Sequence, residues 1–300
     1  MSARYAVFFA LALACASSNA LADDDCRLSR LATLDIGTEN PQRIIVPVTL
    51  NDHQIPVVLD TGAPTSMLLN NEANDLGLDR QMFAVGFEYK MLNGTRVRDE
   101  AIAPTFLIGG MKGTNFRFGI LPDRFIEPPA VGLLGADIAR NYDVELDFAQ
   151  NKMILFARHH CRGRVVYWTK QPFAVLPFHF DPGHHMVADV KLDGVSLTAI
   201  VDTGAPPAVS MPLPLARREF SWSDDPAQLH RIAGKHSPYT YPFGVLSLDG
   251  ASVHQPTVWL SESNGGIGPD ALVGLAALRA FHVYISYEDQ AIYLTARDAR

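Results

Sequence analysis

The sequence has little of what marks a membrane protein, a nucleic-acid binder or a metalloprotein. After the first two dozen residues, no stretch approaches the roughly 18 consecutive apolar residues that a membrane span requires. Charged residues make up only 19% and the net charge is −7, the wrong sign for a phosphate-backbone partner, so no nucleic-acid surface is expected. The histidines include two adjacent pairs, His159-His160 and His184-His185, but neither has a Glu or Cys at ligand spacing. Neighbours on a strand also point to opposite faces, so no metal is expected. Ser66 and Ser210 stand outside any His-Asp context, which argues against a serine nucleophile. With 20 prolines and 22 glycines, the chain disfavours long uninterrupted helices and favours short strands joined by turns.

The N-terminus reads as a targeting segment over residues 1–22. Arg4 supplies the basic start, Val7 to Ala14 the apolar run, and Ala20-Leu21-Ala22 a small-x-small cleavage site. A short, Ala-rich leader suggests a bacterium, so the mature chain is expected in the periplasm or secreted after cleavage near Ala22. The weaker alternative is a lipid anchor on Cys15, for which Ala12-Leu13-Ala14 is a poor recognition site. Cleavage at Ala22 leaves two of the three cysteines, Cys26 and Cys161, in an oxidising compartment, where a bridge between them is the favoured reading over two free thiols. In the chain-entropy account, a loop that long is worth roughly 4–5 kcal/mol.

What the chain does have is one motif, twice. Val57-Val58-Leu59-Asp60-Thr61-Gly62-Ala63-Pro64 returns as Ile200-Val201-Asp202-Thr203-Gly204-Ala205-Pro206, 142 residues later. Each is an apolar run, of the kind buried on both faces, that delivers one carboxylate onto a tight turn. The stretches leading in align without gaps, and each reads as a hairpin whose turn is Asn51-Asp52 or Asp193-Gly194. Leu133-Leu134-Gly135-Ala136 and Leu272-Val273-Gly274-Leu275 then open short apolar helices, and strand material closes each half. The order and spacing predict a signal peptide over 1–22, a first β-rich lobe over 23–157, a polar connection over 158–173, and a second lobe over 174–300. The period is far too long for a solenoid, so the pattern is read as a duplicated fold.

Two carboxylates held at hydrogen-bonding distance cannot both ionise, so they share a proton and titrate as a pair. The ionised member can take a proton from water while the protonated one polarises a carbonyl, which gives hydrolysis without a metal or a covalent intermediate. Thr61 and Thr203 can donate across the axis between the turns, and Gly62 and Gly204 let backbone approach closely.

Paired apolar-apolar-Asp-Thr-Gly-Ala motifs, each followed about 70 residues later by an apolar-apolar-Gly, resemble the aspartic peptidases, and most closely the retropepsin-like branch. The resemblance implies an all-β fold: two pseudo-symmetric acid-protease β-barrel lobes in one chain, with a cleft between them. It implies an aspartic endopeptidase with Asp60 and Asp202 as the catalytic pair. Thr61, Gly62, Ala63, Thr203, Gly204 and Ala205 would form the active-site loops, with Gly135 and Gly274 supporting them. Phe87 to Arg98 reads as a hairpin with an Asn-Gly tip, so Tyr89, Asn93 and Gly94 are flap candidates, and Gly234 marks the matching place in the second lobe. The expected partner is a peptide or protein substrate. No cofactor is implied, and a monomer is expected because one chain encodes both lobes. The alternative is a catalytically silent protein that binds peptides or a partner on the same fold.

Overall fold

The structure is a computed structural model that describes residues 27–223, 226–232, 237–262, 266 and 268–299. The expected leader, Cys15 and Cys26 lie outside the described residues, as does Gly234. Cys161 is disulfide-bonded.

The fold is mostly β and is built around the two predicted hairpins. Ile45–Leu50 pairs with His53–Leu59 across Asn51 and Asp52, whose φ values of 46° and 68° are those of a type I′ turn. Met186–Leu192 pairs with Val195–Asp202 across Asp193 and Gly194, at 47° and 84°. In both hairpins the second strand becomes fully buried towards its end, so its last residues sit in apolar surroundings.

Each of these second strands then acquires a parallel neighbour. Leu133 and Leu134 of Gly132–Leu134 lie beside Val58 and Leu59, and Ala271–Gly274 runs beside Ala199 to Asp202. Met67–Leu69 and Val209–Pro212 pair with these strands in turn. In the first half the ladder continues through Met111–Leu121 and Asp99–Ile108 and returns to Ile45–Leu50 at Leu50↔Phe106, closing a six-stranded barrel. In the second half Ala251–His254 pairs on one side with Val245–Leu248, and Val258–Ser261 pairs on the other with Val209–Pro212. Between them the strand is interrupted at Gln255, at φ 48°, and Pro256, which has no N–H to donate, and among the described residues this ladder does not close.

A six-stranded antiparallel sheet joins the halves. Its order is Arg30–Asp35, Lys152–Phe156, Asp143–Asp147, Phe281–Ser286, Ala291–Ala296 and Ala174–Pro177, three strands from each half of the chain. Its centre is the pair Glu145↔Tyr284. Between Phe156 and Ala174 there is no strand, and this segment packs on the sheet. His160 Nε2 lies 2.6 Å from Asp143 Oδ2, the Tyr167 hydroxyl donates to Glu145, and the Trp168 ring stacks on His282 at 4.2 Å. His282 in turn contacts Glu145 at 3.0 Å, so the carboxylates buried at the join are each paired.

Candidate active site

The end of each buried strand carries its Asp to the interface between the halves. Within its own turn, Asp60 Oδ1 accepts from the N–H of Gly62 at 3.1 Å and of Ala63 at 2.9 Å. Asp202 Oδ1 accepts from Gly204 N–H at 2.7 Å. Asp60 and Asp202 also share a side-chain hydrogen bond, so the two carboxyl groups face each other directly.

The threonines fix that approach by a reciprocal exchange. Thr61 Oγ1 donates to Val201 O at 2.9 Å and accepts from Thr203 N–H at 3.1 Å. Thr203 Oγ1 donates to Leu59 O at 2.8 Å and accepts from Thr61 N–H at 3.0 Å. Both side chains are buried, so four hydrogen bonds tie the turns together out of water. The glycines leave room for the opposite carboxylate. A Cβ added at Gly62 would lie 2.6 Å from Asp202 Oδ1, and one added at Gly204 would lie 2.6 Å from Asp60 Oδ2.

Gly135 and Gly274 sit beneath the loops. The residue after each donates to a loop carbonyl, Ala136 N–H to Ala63 O at 2.8 Å and Leu275 N–H to Ala205 O at 2.7 Å. A side chain at either glycine would meet loop backbone, with a Cβ 2.7 Å from Thr65 O or 2.5 Å from Ala205 O. The halves differ around this support. In the first, Asp137 accepts from the Ser66 hydroxyl and N–H at 2.7 and 2.9 Å and from the Thr65 hydroxyl at 3.1 Å, while Gly135 N–H donates to Ser66 Oγ. In the second, Ala208 and Ala276 leave only backbone, and Gly274 N–H donates to Ala208 O.

Burial pushes the Asp60 carboxyl well above the ordinary carboxylate range, and the charge and hydrogen bond of Asp202 push it the same way. Burial raises Asp202 too, opposed by the N–H of Gly204, the hydrogen bond from Asp60, the N–H of Gly62 and the charge of Arg43. Both carboxyls are thus pushed towards the protonated form, and the two titrate as a pair.

The pair lies on the floor of a cavity of about 590 Å³, within the range of small-ligand and peptide sites. Apolar walls come from both halves, among them Ile126, Leu133, Ile200 and Leu272. A larger groove of about 820 Å³ beside the second half's sheet contains neither Asp60 nor Asp202. The hairpin read as a flap candidate is short: Tyr89–Lys90 pairs with Arg96–Val97, and Met91, Leu92 and Asn93 line the cavity that holds the carboxylates. Gly94 supplies the turn at φ 84°. Tyr89 instead packs edge-on against Phe83 and Phe87, bracing the hairpin. In the second half a hairpin forms between His230–Arg231 and Tyr239–Thr240.

Two basic groups in the cavity carry no sequence signature. Arg43 Nη1 donates across the interface to Gly204 O, while Arg279 donates to Arg43 O at 3.1 Å. His185 stands 142 residues after Arg43, at the matching place in the second half, with its Nδ1 2.9 Å from Asp181 Oδ2. Arg43, Asp181 and His185 all line the cavity, so each half contributes a basic residue to its wall, and the charge of Arg43 reaches both carboxyls. Arg43 and His185 align at the offset of the Asp-Thr-Gly motifs, but an Arg opposite a His there gives no reason to place either beside the carboxylates.

Residues 46–138 match the family described as aspartyl protease, a span that includes Asp60, its turn and the helix opened at Gly135, and that ends before Asp202. No curated protein matches the chain significantly. Over residues 46–138, just under a third of its length, the chain is therefore similar to the aspartyl proteases.

Proposed function

We propose that the protein is an aspartic endopeptidase in which Asp60 and Asp202 together activate a water molecule against a peptide carbonyl. The observation that carries this reading is the contact between the two carboxyls, each held by its own turn and admitted by the other turn's glycine. The ionised member accepts a proton from water as its oxygen attacks the carbonyl carbon, and the protonated member hydrogen-bonds the carbonyl oxygen as charge develops there. Transfer of the first proton to the leaving nitrogen then breaks the C–N bond and returns the pair to a singly protonated state. Thr61 and Thr203 serve as positioning residues. The hairpin tip of Met91, Leu92 and Asn93 would close over an extended peptide and exclude water.

The same reading takes the halves as two lobes, 23–157 and 174–300, descended from one ancestral unit and joined by residues 158–173. The common order of pairings around Asp60 and Asp202 and the strandless connection support it. With both carboxylates in one chain, a monomer suffices. Export follows from the N-terminal leader, and the disulfide at Cys161 accords with an oxidising compartment. Incubation of the purified protein with a peptide library, read by mass spectrometry and competed with a statine-type inhibitor, tests the activity. Cleavage blocked by the inhibitor supports an endopeptidase, and inhibitor binding without cleavage of any peptide identifies a silent binder.

A further inference from the structure

We infer that a small oxyanion, a phosphate- or carboxylate-sized group, binds between the two halves of the chain where Arg140, Arg158 and Tyr287 converge. These residues, with Phe180 and His184, line a separate cavity of about 100 Å³, and none of them lines the cavity over Asp60 and Asp202. No carboxylate is among its lining residues.

The polar groups facing it are donors. Tyr287 is only 3% exposed, and its hydroxyl has no protein partner. The rest of the residue is fixed: its N–H donates to Asp143 at 2.9 Å, and its ring stacks against Phe180 and meets Phe178 edge-on. Burial, reinforced by Asp143, keeps the phenol protonated despite the nearby guanidinium charges of Arg140 and Arg158, so it can donate. Arg158 is held through Arg140 O at 3.3 Å and Glu288 at 3.1 Å, which leaves its buried Nε without a protein partner. Arg140 follows the short helix Ala136–Ala139 and brings a second guanidinium. Two guanidiniums and a phenol hydroxyl, against the carboxylate of Glu288 and that of Asp143, which is itself paired with His160, suit a ligand made of acceptors. A water could accept from two of these donors, but an anion also answers the guanidinium charge.

Arg140 comes from the first half, Arg158 from the start of the connection, and Tyr287, Phe180 and His184 from the second half, so the occupant would clip the halves together. A ligand that binds only the folded chain raises the unfolding temperature saturably with its concentration. The test is thermal unfolding of the full protein during titration with inorganic phosphate, sulfate or acetate, at ionic strength held constant with chloride. A saturable rise with at least one of these anions, and an apparent affinity at least about tenfold weaker in both Tyr287→Phe and Arg140→Gln, is expected. Phosphate or sulfate acting alone would identify a tetrahedral oxyanion, and acetate acting alone a carboxylate. No rise, or one that is unsaturable or equal in the variants, would overturn the proposal. Arg140 is half-exposed, so its variant tests the site even if Tyr287→Phe folds poorly.

Discussion

Gly62 and Asp202 are in contact across the interface, so closely that a single methyl group on Gly62 would overlap the Asp202 carboxyl. Gly204 and Asp60 repeat the relationship in the opposite direction. Each turn therefore does two things: it holds its own carboxylate through its N–H groups and, by lacking a side chain, makes room for the other's.

Gly62→Ala and Gly204→Ala should accordingly destabilise the protein by about 1–3 kcal/mol, as overpacking does, and abolish cleavage by forcing the carboxyls apart. Urea unfolding together with peptide cleavage checks this. A Gly204→Ala protein of unchanged stability and activity would mean the close approach is not needed.

Thr61 is the second interface element to test. Thr61→Ala removes the donor to Val201 O and the acceptor of Thr203 N–H, leaving both buried groups unpaired, which costs about 2–4 kcal/mol. Thr61→Ser keeps the hydroxyl and should recover most of the loss. Equal midpoints for the Ala and Ser variants would show that the hydroxyl exchange carries no stability.

The raised carboxyl of Asp60 makes a prediction about pH. The folded chain holds this proton more tightly than the unfolded chain, whose carboxyl titrates near about pH 3.9. The stabilisation from that proton is complete below the unfolded value and is lost as pH rises through the folded one. Asp60→Asn, which cannot ionise, should therefore gain stability relative to the native chain as pH rises from acid to neutral. Unfolding temperatures of both proteins from pH 3 to 7 check this, and a gap that shrinks over that range would contradict it. Activity, which needs one proton on the pair, should fall on the alkaline side, so a rate that keeps rising above neutrality would count against the proposed chemistry.

Leu92 is half-exposed at the tip of the hairpin and faces the cavity, an apolar group placed to meet a bound peptide. Leu92→Ser should raise KM by roughly tenfold, the value of a well-buried aliphatic contact, and leave the unfolding midpoint within about 0.5 kcal/mol. An unchanged KM would remove the hairpin from substrate binding.

The parts of this protein legible in its sequence are those where local chemistry permits one solution. Asn51-Asp52 and Asp193-Gly194 suit the positive φ of a type I′ turn, and Asp60 and Asp202 follow strands too apolar to lie at a surface. Gly135 and Gly274 stand where backbone passes within reach of any Cβ. Arg43 was not legible, because a lone cation before a strand is indistinguishable from a solvated one until the fold brings it to Gly204 O. His185 owes its place to Asp181, a local pairing that only the turn between Phe180 and Met186 reveals. Tyr89 faces away from the cavity because strand alternation and the aromatic contacts of Phe83 and Phe87 set its direction.

The measurement that bears most directly on the central claim is the turnover of one cleaved peptide by the native protein, Asp60→Asn and Asp202→Asn, with each variant's fold checked by circular dichroism. If the two carboxyls act as one acid–base pair, each variant keeps its fold and loses turnover by at least about 10³-fold, and the double variant is no worse than either. Turnover retained within about tenfold by either single variant would show that the pair is not the catalytic centre.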